Sequence, residues 1–143
     1  MKIFKLVLIA LFAISISGLS AAKVTGVWKT IDDKTGKAKS YVAIWEWKGK
    51  IYGKIKKLLN TAPGKENPKC EKCKGRLHNK PVVGMTMIWG LSKDGNAYEG
   101  GYILDPKNGK TYKAKIWSEN PNTLKVRGYI GFFFRTQTWY RVK

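Results

Sequence analysis

Beyond residue 23 the chain alternates apolar and polar positions in short runs, each rich in β-branched and aromatic residues and each closed by turn-forming residues. The first runs are VTGVWKT (24–30), SYVAIWEW (40–47) and IYGKIKKLL (51–59), separated by DDKTGK and KGK. After a long polar interruption the pattern resumes over residues 82–91, then AYEGGYIL (97–104), TYKAKIW (111–117), TLKVRGYI (123–130) and TQTWYRV (136–142), with KDGN, DPKNGK and ENPN between them. The pattern predicts about eight strands in an antiparallel meander. DDKTGK and DPKNGK share D-x-K-x-G-K because they solve the same problem: aspartate starts the turn through its side chain, and glycine supplies the positive φ that closes a hairpin. Their one or two acids among lysines offer too few oxygens for a calcium loop.

No long amphipathic helix interrupts the strands, so the sheet must hide its own edges, and closure does so completely. The expected fold is therefore all-β: one small up-and-down antiparallel barrel of about eight strands, just wide enough to be filled by side chains or to hold one small ligand. A two-sheet sandwich is the alternative. Gly53, Gly100, Gly101, Gly128 and Gly131 fall within or at the end of strand runs, where glycine marks bulges and bends.

The aromatic residues are the strongest candidates for binding. On the second run Tyr41, Ala43, Trp45 and Trp47 share one face and Val42, Ile44 and Glu46 the other. The alternation does not say which face is inside. With the tryptophan face inward, Trp45, Trp47, Tyr52, Tyr102, Trp117 and Phe133 would line an apolar pocket of the usual small-molecule kind. With it outward, Trp45 and Trp47 form a surface stripe beside Lys48, Lys50, Lys54, Lys56 and Lys57.

The N-terminus sets the compartment. Lys2 and Lys5, an unbroken apolar run over residues 6–14 and a small-residue stretch ending at Ala22 have the layout of a secretory signal peptide, cut near residues 20–22. The apolar run is shorter than the ~20 residues of a spanning helix, and no lipoprotein cysteine follows it. Removing 22 of the 143 residues leaves a single 121-residue domain, residues 23–143, outside the cytoplasm. The leader carries two of the 28 basic residues and no acid, so 26 cations face nine acids and the mature charge is +17. Such an excess favours encounter with polyanions. Extracytoplasmic location argues against nucleic acid as the normal partner and for anionic envelope or host-surface molecules.

The segments GVWKTIDDKTGKAKS, YGKI, KPVVGM, YEGGYILDPKNGKTY, LKVRGYIG and TQTWYR, in this succession, resemble the secreted bacterial family catalogued as domain of unknown function 2147. The resemblance covers nearly the whole mature chain and implies a lipocalin-like, calycin-type barrel, without an established activity. The sparse calycin pattern is also present: Gly26-Val27-Trp28 on the first strand and Arg141 on the last. In that superfamily the tryptophan plugs one barrel end and a C-terminal cation packs over it, an attraction of about 0.5 to 2 kcal/mol. Arg135 is the alternative cation.

Both cysteines and the single histidine lie in KCEKCKGRLH (69–78), inside the long loop of about residues 60–81. Cys70, Cys73 and His78, with Glu66 or Glu71 as a fourth ligand, make a strained zinc set. A c-type haem needs histidine directly after Cys73, where Lys74 stands. A redox pair belongs at a helix start. An oxidising compartment makes a Cys70–Cys73 disulfide the expected outcome, in a loop long enough to be a lid or a partner-binding arm. Among the acids only Glu46 and Glu99 fall inside strand runs, and nothing in their spacing makes them converge as a glycosidase pair. No catalytic residue, metal or cofactor is expected. The function read from the sequence is a secreted or periplasmic carrier of a small, largely apolar or amphipathic ligand with room for an acidic end. The alternative is a basic module that binds anionic glycolipid or glycan.

Overall fold

The computed structural model describes residues 22–143 and shows eight antiparallel strands closed into a barrel in strict sequence order. They are β1 (Gly26–Ile31), β2 (Ala38–Trp47), β3 (Lys50–Leu58), β4 (Thr86–Asp94), β5 (Ala97–Asp105), β6 (Lys110–Asn120), β7 (Thr123–Ile130) and β8 (Phe133–Arg141). A single 3₁₀ turn, Gly75–Leu77, sits in the long β3–β4 connection. Closure excludes the sandwich. The expected signal peptide, apart from Ala22, lies outside the described residues. Among the described residues no helix is long and apolar enough to cross a membrane.

Period-two alternation decides what is inside. On β2 Ser40, Val42 and Ile44 are buried, so the aliphatic face points inward and the tryptophan face outward. On β3 the buried residues are Ile51, Gly53 and Ile55. Gly101 is required where β5 passes β4: a Cβ there would strike the Trp89 carbonyl and the backbone of Gly90 and Leu91.

One end of the barrel is solid. Ile51, Ile88, Leu91, Ile116 and Leu124 are fully buried, as is Trp28. The indole Nε1 of Trp28 donates to the Val24 carbonyl at 2.8 Å, and the Arg141 guanidinium lies 4.2 Å over the ring. Arg141 also donates to the carbonyls of Thr25, Pro121 and Lys23. Arg135, the other cation considered for this place, is at the opposite end. The β1–β8 seam is short: Trp28 pairs with Arg141 and Lys29 with Tyr140. Two backbone bonds of 2.7 Å, Val27 N–H to the Lys143 carbonyl and Val142 N–H to the Val27 carbonyl, extend it toward the termini.

Most strand limits fall within a few residues of the sequence pattern, and two of the shifts have a clear local cause. The fourth strand begins at Thr86, because residues 82–85 are held in the loop: Val82 N–H bonds the Pro68 carbonyl at 2.9 Å and Gly84 N–H the Ile55 carbonyl at 2.7 Å. The eighth begins at Phe133 instead of Thr136, because Gly131, at φ 57°, and Phe132 make a two-residue turn that pairs Ile130 with Phe133.

Candidate functional site

Four connections gather at the end opposite Trp28: the β1–β2 turn, the long β3–β4 loop, the β5–β6 turn and the β7–β8 turn. Beneath them the barrel holds a cavity of about 770 Å³. Its depth is apolar, lined by Ile55, Met87, Leu104, Val126 and Trp139. The buried Thr30 and Ser40 hydroxyls bond each other at 2.6 Å and so present little unpaired polarity there. Its mouth is cationic: Lys34, Lys39, Lys69, Lys72, Lys107 and Arg135 stand around it against Asp32, Asp33 and Asp105.

The three carboxylates are occupied in building the mouth. Asp32 Oδ1 accepts the backbone N–H groups of Lys34 at 2.8 Å and Thr35 at 2.9 Å. Those two bonds, that of Thr35 foremost, hold its carboxyl below the ordinary aspartate value. Asp105 accepts Lys107 N–H at 2.9 Å in the same way. Asp33 Oδ2 accepts Gln137 Nε2–H at 2.7 Å and faces Arg135 at 3.7 Å. Gln137 Oε1 in turn accepts Trp139 Nε1–H at 3.0 Å. A chain of polar contacts thus climbs from the floor of the cavity to its rim.

The long loop forms part of the wall, contributing Pro68, Lys69, Lys72 and Val82. A Lys69–Pro81 bridge and backbone bonds from Cys70 N–H to the Lys80 carbonyl (2.8 Å) and Asn79 N–H to the Cys70 carbonyl (2.9 Å) stitch it to itself. Cys70 and Cys73 are joined in a buried disulfide. Cys70 Sγ lies 3.4 Å from the Pro106 carbonyl oxygen, seating the loop on the β5–β6 turn. At Gly109, φ 71°, a Cβ would collide with the Lys72 carbonyl, so this contact depends on glycine. With both sulfurs bonded to each other, the zinc alternative loses its two thiolates, and His78 Nδ1 is 3.0 Å from the Cys73 carbonyl oxygen. Among the described residues no group of three or more His, Cys, Asp or Glu is placed to hold a metal.

The six side chains expected in the pocket are elsewhere. Trp45, Trp47, Tyr52, Tyr102 and Trp117 stand on the outer surface, and Phe133 is at the rim, 77% exposed beside Ile130, which does line the cavity. Outside, Trp45 stacks on Tyr52 at 5.8 Å and Trp89 lies against Tyr102 at 5.9 Å. Lys48 Nζ is 4.5 Å over Trp47, Lys54 Nζ 5.9 Å over Trp45, and Arg127 5.0 Å over Trp117. The reason is legible in the neighbours: Lys54 and Lys56 share the face of Tyr52, and Lys113 and Lys115 that of Trp117. A strand face that carries lysine at alternate positions is the wet one, with the stems covering the rings. The cavity residues that sequence reasoning missed include Val126 on β7, on the face opposite Lys125 and Arg127, and Gln137 and Trp139 on β8, which share the face of Phe133 but lie deeper. Glu46 and Glu99 do not line the cavity either. A hydrogen bond shared with Asp94 holds the Glu99 carboxyl above the ordinary glutamate value.

A family model described as an uncharacterized protein conserved in bacteria, DUF2147, matches residues 26–141. No curated protein matches the chain. A solved structure from the human pathogen Helicobacter pylori, the protein HP1028, described as belonging to the lipocalin family, has a similar fold. The TM-score is 0.74 at 22% identity, over 85% of this chain and 84% of that one.

Proposed function

The chain belongs to the DUF2147 family of uncharacterized bacterial proteins, and from that premise we propose that it is an extracytoplasmic carrier of a small amphipathic anion, an apolar body with an acidic end. The observation that carries this reading is the gradient within the cavity: aliphatic and indole surface in the depth, six cations around the mouth. An apolar chain would lie against Ile55, Met87, Leu104 and Val126, while its carboxylate or phosphate meets the lysines. The volume of about 770 Å³ falls in the ordinary range of ligand pockets, about 300 to 1,000 Å³. A signal-peptide-like leader and a disulfide support location outside the cytoplasm. The carrier reading is preferred to an enzyme because the carboxylates at the mouth are committed to turns and to Gln137 and Arg135.

Titration with dodecanoate and with dodecanol, followed by native mass spectrometry, tests the proposal. Dodecanoate is expected to bind about tenfold or more tightly than the alcohol, the value of one charge-assisted contact. Failure of both to bind, or equal binding, refutes it. A second reading rests on the outer stripe of Trp45, Trp47 and Tyr52 under Lys48 and Lys54, a surface suited to an anionic glycan or glycolipid. Its mark is binding that weakens steeply with salt and disappears in a Trp45→Ala, Trp47→Ala variant.

A further inference from the structure

The β7–β8 turn places four large apolar side chains in five consecutive residues, Ile130-Gly131-Phe132-Phe133-Phe134, at the open end of the barrel. Phe132 is fully exposed, and Ile130, Phe133 and Phe134 are each more than half exposed. Phe134 is pinned along the outer wall by Tyr129, 6.3 Å away, and by Arg127, 4.1 Å over its ring. Ile130, Phe132 and Phe133 are left as a convex apex on a tight two-residue turn. Soluble chains rarely hold such a cluster in water without a partner for it.

The surroundings say what that partner is. The apex belongs to the same rim as Lys34, Lys69, Lys72, Lys107 and Arg135, of which Arg135 is 76% exposed and weakly paired with Asp33. Apolar side chains that protrude from a cationic ring carry the two signals of interfacial membrane binding, insertion of rings and attraction to anionic head groups. A protein groove would need about 800 Å² of matching surface, more than a five-residue apex supplies. A second copy of the chain would bring two cationic rims together. We infer that the open end of the barrel docks on an anionic lipid bilayer, with Phe132 and Phe133 inserted at the head-group level and the rim lysines against the phosphates. Ile130, within the apex, and Arg135, next to it, also line the cavity, so docking sets the mouth against the membrane. The docking stands on the apex and rim alone; transfer of ligand between bilayer and cavity rests in addition on the carrier reading.

Both cysteines are in the disulfide, so Phe132→Cys gives one free thiol for an environment-sensitive fluorophore, and Asn96→Cys, in the β4–β5 turn at the other end, gives its control. With phosphatidylcholine vesicles containing phosphatidylglycerol, the label at position 132 is expected to blue-shift and brighten, and that at 96 to stay unchanged. With pure phosphatidylcholine neither responds. In vesicle co-sedimentation with the unlabelled protein, a Phe132→Ser, Phe133→Ser variant binds about tenfold or more weakly. Equal binding to both vesicle types, a response at both labels, or unimpaired sedimentation of the serine variant overturns the inference. So does a dimer in analytical ultracentrifugation that the serine variant dissolves. Gly128→Leu, which narrows the cavity and leaves the apex unaltered, is expected to dock like the unaltered protein, so loss of ligand binding and loss of docking are read separately.

Discussion

Gly128→Leu converts the cavity from a description into a measurement. Gly128 lies on β7, pairs with Ala114 and Arg135, and lines the cavity. A Cβ there would meet Tyr112 Cβ at 3.7 Å and Ile103 Cγ2 at 3.8 Å, ordinary contact distances, so the rest of the leucine projects into open space. Burying its four carbons is worth about 3 kcal/mol at ~0.8 kcal/mol each. Residual burial in the unfolded chain and lost rotamers remove about 1 to 2 kcal/mol. Replacing glycine inside a strand restores roughly 0.5 to 1 kcal/mol of backbone entropy. The ligand-free variant is thus more stable by about 2 kcal/mol, or about 8 °C in Tm for a domain of this size. Dodecanoate at a hundred times its Kd raises the unaltered protein by about 2.7 kcal/mol, and the variant, in which leucine projects into the path of the ligand's chain, by less. Differential scanning fluorimetry with and without dodecanoate reads both numbers. A variant that keeps the full ligand shift shows that the ligand sits elsewhere, and one that melts below the unaltered protein shows that the space is not open; either result refutes the reasoning.

Arg141→Lys keeps the charge but gives up the planar fork over Trp28 and most of the three carbonyl contacts. A loss of about 2 to 3 kcal/mol is expected, seen as a lower urea midpoint at unchanged slope, and a loss under about 0.5 kcal/mol would contradict the plug. The lowered Asp32 carboxyl stabilises the β1–β2 turn at every pH above the ordinary aspartate value, and that contribution disappears as pH falls through the lower, folded value. The amide resonances of Lys34 and Thr35 should therefore titrate in NMR below the ordinary aspartate range, and an Asp32→Ala chain should lack that titration.

The barrel was legible in the sequence because its strands are local: all but one of the ladders join neighbours along the chain, and two of the connections, Asp94-Gly95 and Asn108-Gly109, carry the strongest hairpin chemistry. The partnership of Trp28 with Arg141 was legible through the resemblance to calycins. The cavity was not. Its wall is assembled from alternate residues of many strands, and the depth to which the barrel is filled depends on packing that no single run reports. Inward parity on β2 could not be chosen between two faces that were each largely apolar, although the lysines beside Tyr52 and Trp117 did mark the wet side. The exposed turn at Phe132 was hidden for another reason: three phenylalanines in a row read as core in composition, and only the pairing of Ile130 with Phe133 turns them outward.

The shortness of the β1–β8 seam bears on kinetics. Seven of the ladders join neighbours along the chain; six of them need only hairpin closures, each a matter of microseconds, and β3–β4 closes over the long loop. The eighth brings together positions more than a hundred residues apart, and its backbone reward is two residue pairs and the Val27 bonds to Val142 and Lys143. Such a contact carries the largest loop-closure entropy in the molecule and gains the least from forming early. It is consequently a late event, and damage to it at Arg141 accelerates unfolding while leaving the folding rate nearly untouched. The latch over Trp28 therefore governs how long the barrel lasts once made, far more than how fast it is made.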